Sequence, residues 1–287
     1  MASQALVLGG GGSVGIAWES GVLKGLADAG LDLSGADLIV GTSAGSVVGA
    51  QLALGQTPEQ MVATQIAESD GQLEQAMRFD PQTFMAITAR WGTIAEMNQE
   101  TQAAIGALAL SAPTIDEAIW LRVFEATLNG VPWPERRLLV TAVNAESGEF
   151  VAWDRTAGAP LARAVASSCT VPGLFPPVTI NGARYIDGGV RSGTNADLAK
   201  GYDTVVIIAP IGGPGQAIGQ LAQRQIESET ATLRAAGATV QLLLPDAEAL
   251  SAFGPNLMDV TRRAVAAQAG INQGQAAAEA LRGVWSS

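Results

Sequence analysis

Short apolar runs alternate with longer amphipathic stretches through much of this chain, a pattern that predicts an α/β fold. Residues 5–8 form an unbroken apolar run that stops at four consecutive glycines, the length and character of a strand buried on both faces. Residues 14–29 then place Ile16, Val22, Leu23 and Leu26 at helical spacing, with Gly30 as a stop signal. Residues 38–40 predict a second buried strand. Val47, Val48 and Leu52 mark a helix ending near Gly55. Strand, helix and strand in that order predict a βαβ unit and a parallel sheet.

From residue 58 to about 130 the strand pattern is missing, and several helices are expected as an insertion packed over the sheet. Its large residues are Met61, Met77, Phe79, Phe84, Met85, Ile87, Trp91, Ile94, Met97 and those of 115–128. They read as core, or as the lining of an acyl-chain pocket or a lid. Sheet signals return at 137–144 and 149–153. Residues 178–180 and 183–186 flank Asn181-Gly182, a hairpin signature. Residues 204–209 and 238–244 predict two further buried strands, and 214–236 and 254–282 read as helices. Residues 212–215 form a local break. No repeat or linker divides the chain, so one domain over 1–287 is expected.

The 287 residues are ample for a large core. Sixteen basic against 27 acidic residues give a net charge of −11, which argues against a nucleic-acid partner and against electrostatic docking on anionic lipid. Cys169 is the only cysteine, so no internal disulfide forms, which suits a reducing compartment. No signal-peptide pattern and no apolar run of about 18 residues occur, so a cytoplasmic soluble protein is expected.

The chemistry lies in three places. Gly41-Thr42-Ser43-Ala44-Gly45 matches G-x-S-x-G between a predicted strand and a predicted helix, where a serine can sit exposed on a tight turn. The chain has no histidine, which excludes every Ser-His-Asp mechanism. A nucleophilic Ser43 would need a carboxylate, a lysine or an amine as its base. Ser43 could instead do no more than cap the following helix.

The glycine loop 9–12 lies between strand and helix, where backbone amides can converge on an anion such as an oxyanion. Gly10, Gly12 and Gly15 also satisfy the dinucleotide fingerprint, but the acidic residue wanted at the end of the second strand is absent there, and Asp37 lies at its beginning. Asp187-Gly188-Gly189 follows the hairpin. A carboxylate held there could take the Ser43 proton, although alone it reads as an ordinary Asp-Gly turn. Lys24 and Lys200 are weaker candidates for the base. Cys169 reads as a small packed residue rather than a reactive thiol.

These residues, taken in order, resemble the patatin-like phospholipase family. Leu6-Val7-Leu8 with Gly9–Gly12, Gly15 and Gly21-Val22-Leu23-Lys24 resembles its oxyanion-hole block. Residues 41–46 resemble its nucleophile elbow, including Gly41 and Gly45. Residues 166–177 with Tyr185-Ile186-Asp187-Gly188-Gly189-Val190 resemble the block that ends in a dyad aspartate. The resemblance implies a three-layer fold, a central, mostly parallel sheet flanked by helices. It implies a Ser43–Asp187 dyad hydrolysing acyl esters of lipids through an acyl-enzyme. The amides of Gly10, Gly11 and Gly12 would bind the oxyanion, and Gly188 and Gly189 would form the dyad loop. A lipid or other acyl ester is the implied substrate, with transient membrane-surface contact and no metal or organic cofactor. Acyl transfer on the same dyad, or lipid binding without catalysis, are the other readings. Val14 stands where the family usually has Arg or Lys, and Trp18 lies near a position that is often His, which shifts the expectation from phospholipid toward neutral esters.

Overall fold

The structure is a computed structural model that describes residues 2–67, 96–211 and 219–285. Its centre is an eight-stranded sheet. The strands are β1 (Gln4–Leu8), β2 (Leu38–Gly41), β3 (Leu138–Asn144), β4 (Phe150–Trp153), β5 (Val178–Ile180), β6 (Ala183–Asp187), β7 (Thr204–Ile208) and β8 (Thr239–Leu243). They pair in the order β5-β6-β3-β2-β1-β7-β8, and β4 also pairs with β3. The five strands from β3 to β8 run parallel, and β4, β5 and β6 add antiparallel pairs at one side.

The continuous apolar runs are strands covered on both faces, and their side chains divide by parity. Leu6, Leu8, Ile39, Val206 and Ile208 join one core, while Ala5, Val7, Val40, Val205 and Ile207 join the other. The first core is closed by α1 (Gly12–Asp28), α2 (Ala44–Ala53), α5 (Glu117–Leu128), α6 (Leu161–Ser168) and α9 (Arg263–Arg282), and the second by α7 (Gly219–Ala235). The result is the expected three-layer α/β architecture with a mostly parallel sheet. The remaining helices are α3 (Pro58–Ile66), α4 (Gln99–Ser111) and α8 (Ala247–Phe253).

The described part of the expected insertion is helical, as α3, α4 and α5. Met77, Phe79, Phe84, Met85, Ile87, Trp91 and Ile94 lie outside the described residues, as do residues 212–215 and the expected helix start at 214. Two boundaries differ from expectation. Helix α1 begins two residues early, because Gly12 already takes the first helical position. The helix expected over 254–282 is broken. Gly254 closes α8 with φ of 65°, the left-handed region that suits glycine. Asp259 then caps a single 3₁₀ turn, Val260–Arg262, before α9 starts. Ala266, Ala267, Gly270, Gly274 and Ala278 are buried on α9, and these small side chains let it lie along α1. No helix among the described residues is long and apolar enough to cross a membrane.

Candidate active site

Ser43 sits at the turn from β2 into α2 with φ 52° and ψ −117°, a conformation that costs a non-glycine residue about 1–3 kcal/mol. The surroundings over-determine it. The Ser43 amide donates to Ser168 Oγ at 2.9 Å, and its carbonyl accepts from Ser46 Oγ at 2.7 Å and from Cys169 Sγ at 3.3 Å. Gly41 and Gly45 allow the turn to close. A side chain on Gly41 would meet Gly45 O at 2.6 Å, and one on Gly45 would collide with Leu8 O. Ser43 is buried to 9% exposure, yet it lines two cavities.

The sheet brings Asp187 to Ser43. Arg137 O accepts from Ile39 of β2 at 2.9 Å, and Ala145 N donates to Arg184 O of β6 at 2.8 Å, whereas Asn144 N donates to Glu149 O beside β4 at 2.8 Å. Backbone groups alternate sides along a strand, so β2 and β6 share one edge of β3 and β4 takes the other. β2 runs up that edge and ends at Gly41, opposite Val140. β6 runs down it and ends at Asp187, opposite Ala142. The two strand ends converge, and the Ser43 hydroxyl lies close enough to the Asp187 carboxyl to lower its pKa.

Asp187 is 4% exposed. Burial pushes its pKa up to about 7, against the opposing pull of the Gly189 amide and the Ser43 hydroxyl. The Gly189 N–H donates to Asp187 Oδ1 at 2.7 Å, and Gly188 packs directly on Thr141. Asn195 braces the junction. Its Nδ2 donates to Thr42 Oγ1 at 3.0 Å and Ser192 O at 2.8 Å, with Gly188 O at 3.3 Å. Sequence reasoning missed Asn195 and Ser168. The left-handed φ of 49° at Asn195 is invisible in sequence.

The glycine loop lies alongside, and one expected role changes. The Gly10 amide donates to Gly193 O at 2.8 Å, so it is not available as an oxyanion donor. A side chain at Gly10 would come within 3.4 Å of Ser43 Cβ, so Gly10 serves here to let the loop approach the serine. Gly11 is the N-cap of α1 and Gly12 its first residue, where amides have no intrahelical acceptor. Both line the smaller cavity with Ser43 and Asp187. Asp37 lies at the opposite end of β2 and accepts from the Gln4 amide at 2.8 Å, so it cannot complete a dinucleotide site.

The smaller cavity, about 90 Å³, is walled by apolar side chains including Ile105, Leu221 and Met258. The larger, about 240 Å³, extends along α2 beneath Trp120 and Phe124 of α5. Trp120 is stacked on Phe175 with centroids 3.9 Å apart. Val14 is fully buried and lines neither cavity, while Arg263 supplies a cation to the larger wall. Trp18 is also buried, edge-on to Phe253. Lys24 pairs with Asp28 at 2.7 Å and Glu59 at 2.9 Å, and Lys200 is exposed, so neither reaches Ser43.

The model of the patatin-like phospholipase family matches residues 6–200, spanning the glycine loop, Ser43 and Asp187. The chain belongs to this family. A curated relative, lysophospholipase nte1 of Aspergillus niger, is 29% identical over 207 residues, covering 72% of this chain and 12% of the relative. The chain therefore spans a small part of that relative's length. Among solved structures, VipD from Legionella pneumophila aligns over 97% of this chain and 67% of its own, with 14% identity and a TM-score of 0.48. The type III effector protein ExoU aligns over 97% and 53%, with 15% identity and a TM-score of 0.43.

Proposed function

We propose that this protein hydrolyses acyl esters of lipids with Ser43 as nucleophile and Asp187 as general base. The observation that carries the reading is the meeting of Ser43 and Asp187 in one cavity with Gly11 and Gly12, where the Asp187 carboxyl has a pKa near 7. A carboxylate in water, with a pKa of about 4, is a poor base for a hydroxyl. One tuned to about 7 is still ionised in about half of the molecules near neutral pH and is far better matched to proton transfer.

In this mechanism Ser43 Oγ attacks the ester carbonyl carbon while its proton passes to Asp187. The carbonyl oxygen becomes an oxyanion, held by the Gly11 and Gly12 amides at the positive end of α1. The tetrahedral intermediate collapses, the C–O bond to the alcohol breaks, and Asp187 returns the proton to the leaving oxygen. Water then gives a proton to Asp187 and attacks the acyl-enzyme, releasing the fatty acid and restoring the serine. An alcohol replacing water in that last step would give acyl transfer on the same dyad. No step calls for a metal or an organic cofactor.

The test is a fluorophosphonate probe with the adduct mapped by mass spectrometry, followed by a panel of neutral and phosphate-bearing esters with and without an added alcohol. The expected result is one adduct on Ser43, lost in Ser43→Ala, and free fatty acid as the product. Folded protein that takes no adduct and turns over no ester would overturn the proposal in favour of lipid binding without catalysis. An acyl-alcohol product in place of free acid would establish the transferase reading.

A further inference from the structure

The larger cavity has a mixed lining, Ser13, Thr64, Gln65, Thr127 and Arg263 among its polar residues, and one buried polar atom in it has no partner. Ala44, Val47, Gln51 and Leu54 all line it. Their spacing puts them on one stripe of α2, which begins at Ser43 and leads away from it. The first part of the stripe is apolar, and Ile16, Trp120, Val123 and Val165 complete that wall. Gln51 interrupts it. Its Oε1 is buried and has no hydrogen-bond partner. A buried amide oxygen without a donor costs about 1–3 kcal/mol, so it marks a place where a donor from a ligand or a water belongs. Gln65 of α3, itself 6% exposed, lines the same cavity. Beyond Gln51 the wall is mixed, with Leu54 and Leu128 beside Gln56, Thr64, Thr127 and Arg263.

Distance decides which part of an ester meets Gln51. Eight residues of helix advance about 12 Å, and helical side chains lean back toward the N-terminus, so the amide stands about 10–12 Å from Ser43. A glycerol leaving group would present its free hydroxyls within a few bonds of the ester, against Ala44 and Val47. An extended chain advances about 1.2 Å per bond, so Gln51 lies opposite an acyl chain about eight to ten bonds beyond the carbonyl carbon.

Resting on the hydrolase reading above, we infer that the larger cavity is an acyl pocket selective for chains carrying a mid-chain hydroxyl, which donates to Gln51 Oε1. The substrate class is esters of hydroxylated fatty acids, with the alkyl remainder seated past Gln51 against Leu54 and Leu128. A site built to bond a hydroxyl rejects the analogue lacking it more strongly than an apolar pocket rejects an added hydroxyl, because the unfilled polar group stays unpaired.

The experiment compares 4-nitrophenyl esters of 10-hydroxystearic and stearic acids in wild type, Gln51→Met and Gln51→Glu. Met keeps the length of the side chain without its polar atoms, and Glu keeps the acceptor. Wild type should favour the hydroxylated ester by about tenfold or more in kcat/KM. Gln51→Met should abolish that ratio, and Gln51→Glu should retain it. Equal rates on the pair in wild type, or a ratio that survives in Gln51→Met, would overturn the inference and leave ordered water as the partner of Gln51. Calorimetry on Ser43→Ala with the two free acids separates this outcome from failure of the hydrolase reading. Tighter binding of the hydroxy acid, lost when Gln51→Met is added, upholds the pocket even if no ester is turned over. Equal binding of the two acids overturns it.

Discussion

Asp187 Oδ1 accepts the Gly189 amide at 2.7 Å, so the carboxyl is fixed by its own loop while it faces the Ser43 hydroxyl. The amide alone would lower the Asp187 pKa, but burial outweighs it and leaves the value at about 7. The base must be ionised to accept a proton. Turnover should therefore rise with pH through a single ionisation near 7 and reach a plateau above it. Asp187→Asn keeps an oxygen for the Gly189 bond but cannot take the proton, and should lose on the order of 10³-fold in kcat with the circular dichroism spectrum unchanged. A pH–kcat/KM profile on an uncharged ester is the check. A midpoint near 4, or an active Asn variant, would remove Asp187 from the role of base.

The same burial predicts an unusual stability profile. Glu19 and Asp187 are buried and Glu229 is half-buried, and all three carboxyls have pKa values raised first by desolvation. The folded state holds these protons to higher pH than the unfolded state does, in which carboxyls titrate near pH 4. Their stabilising contribution is complete below about pH 4 and is lost as pH rises, through about 7 for Asp187. Thermal unfolding should show Tm falling from pH 5 to pH 8. Burial outweighs the Gly9 amide that favours the charged form of Glu19, so Glu19→Gln should flatten the slope by removing one of these titrations. A Tm that climbs over this range would contradict the burial of these groups.

The chain pattern shows β1, β2 and β7 because these strands are covered on both faces and carry unbroken apolar runs. Ser43, Asp187 and the glycine loop are legible because each occupies a strand end, where glycines mark the change of direction. The edge of β3 that β2 and β6 share cannot be read, because register is a tertiary property. Nor can the loss of the Gly10 donor, since it depends on Gly193, distant in sequence. Gln51 is equally hidden. On an isolated helix it is an ordinary polar residue, and only packing under α3 and α5 makes its amide an orphan.

Gly12 combines two constraints. Its φ is 62°, and a side chain there would meet Leu257 O at 2.5 Å and Met258 Sδ at 2.6 Å. Gly12→Ala should destabilise the fold by about 1–3 kcal/mol, through left-handed strain and the displaced segment. Because the Gly12 amide is a proposed oxyanion donor, kcat should fall further than KM changes. Urea unfolding read beside steady-state kinetics separates the two effects. Loss of stability with unchanged kcat would mean that the donor lies elsewhere.

Cys169 is the last residue whose chemistry the surroundings decide. It closes α6, and its Sγ donates to Ser43 O at 3.3 Å with Ser46 Oγ 3.6 Å away. Burial pushes the thiol pKa well up, and the nearby Asp187 charge pushes the same way. The thiolate is the reactive form, so a thiol held protonated is inert. Iodoacetamide at pH 8 should leave Cys169 unmodified in folded protein and alkylate it fully in denaturant, as read by intact mass. Cys169→Ala removes one of the three bonds on the strained Ser43 carbonyl and should reduce kcat modestly, while Cys169→Ser, which restores a donor, should recover most of it. Rapid labelling of the native protein would show that the thiol is exposed and that the Ser43 turn is held by other means.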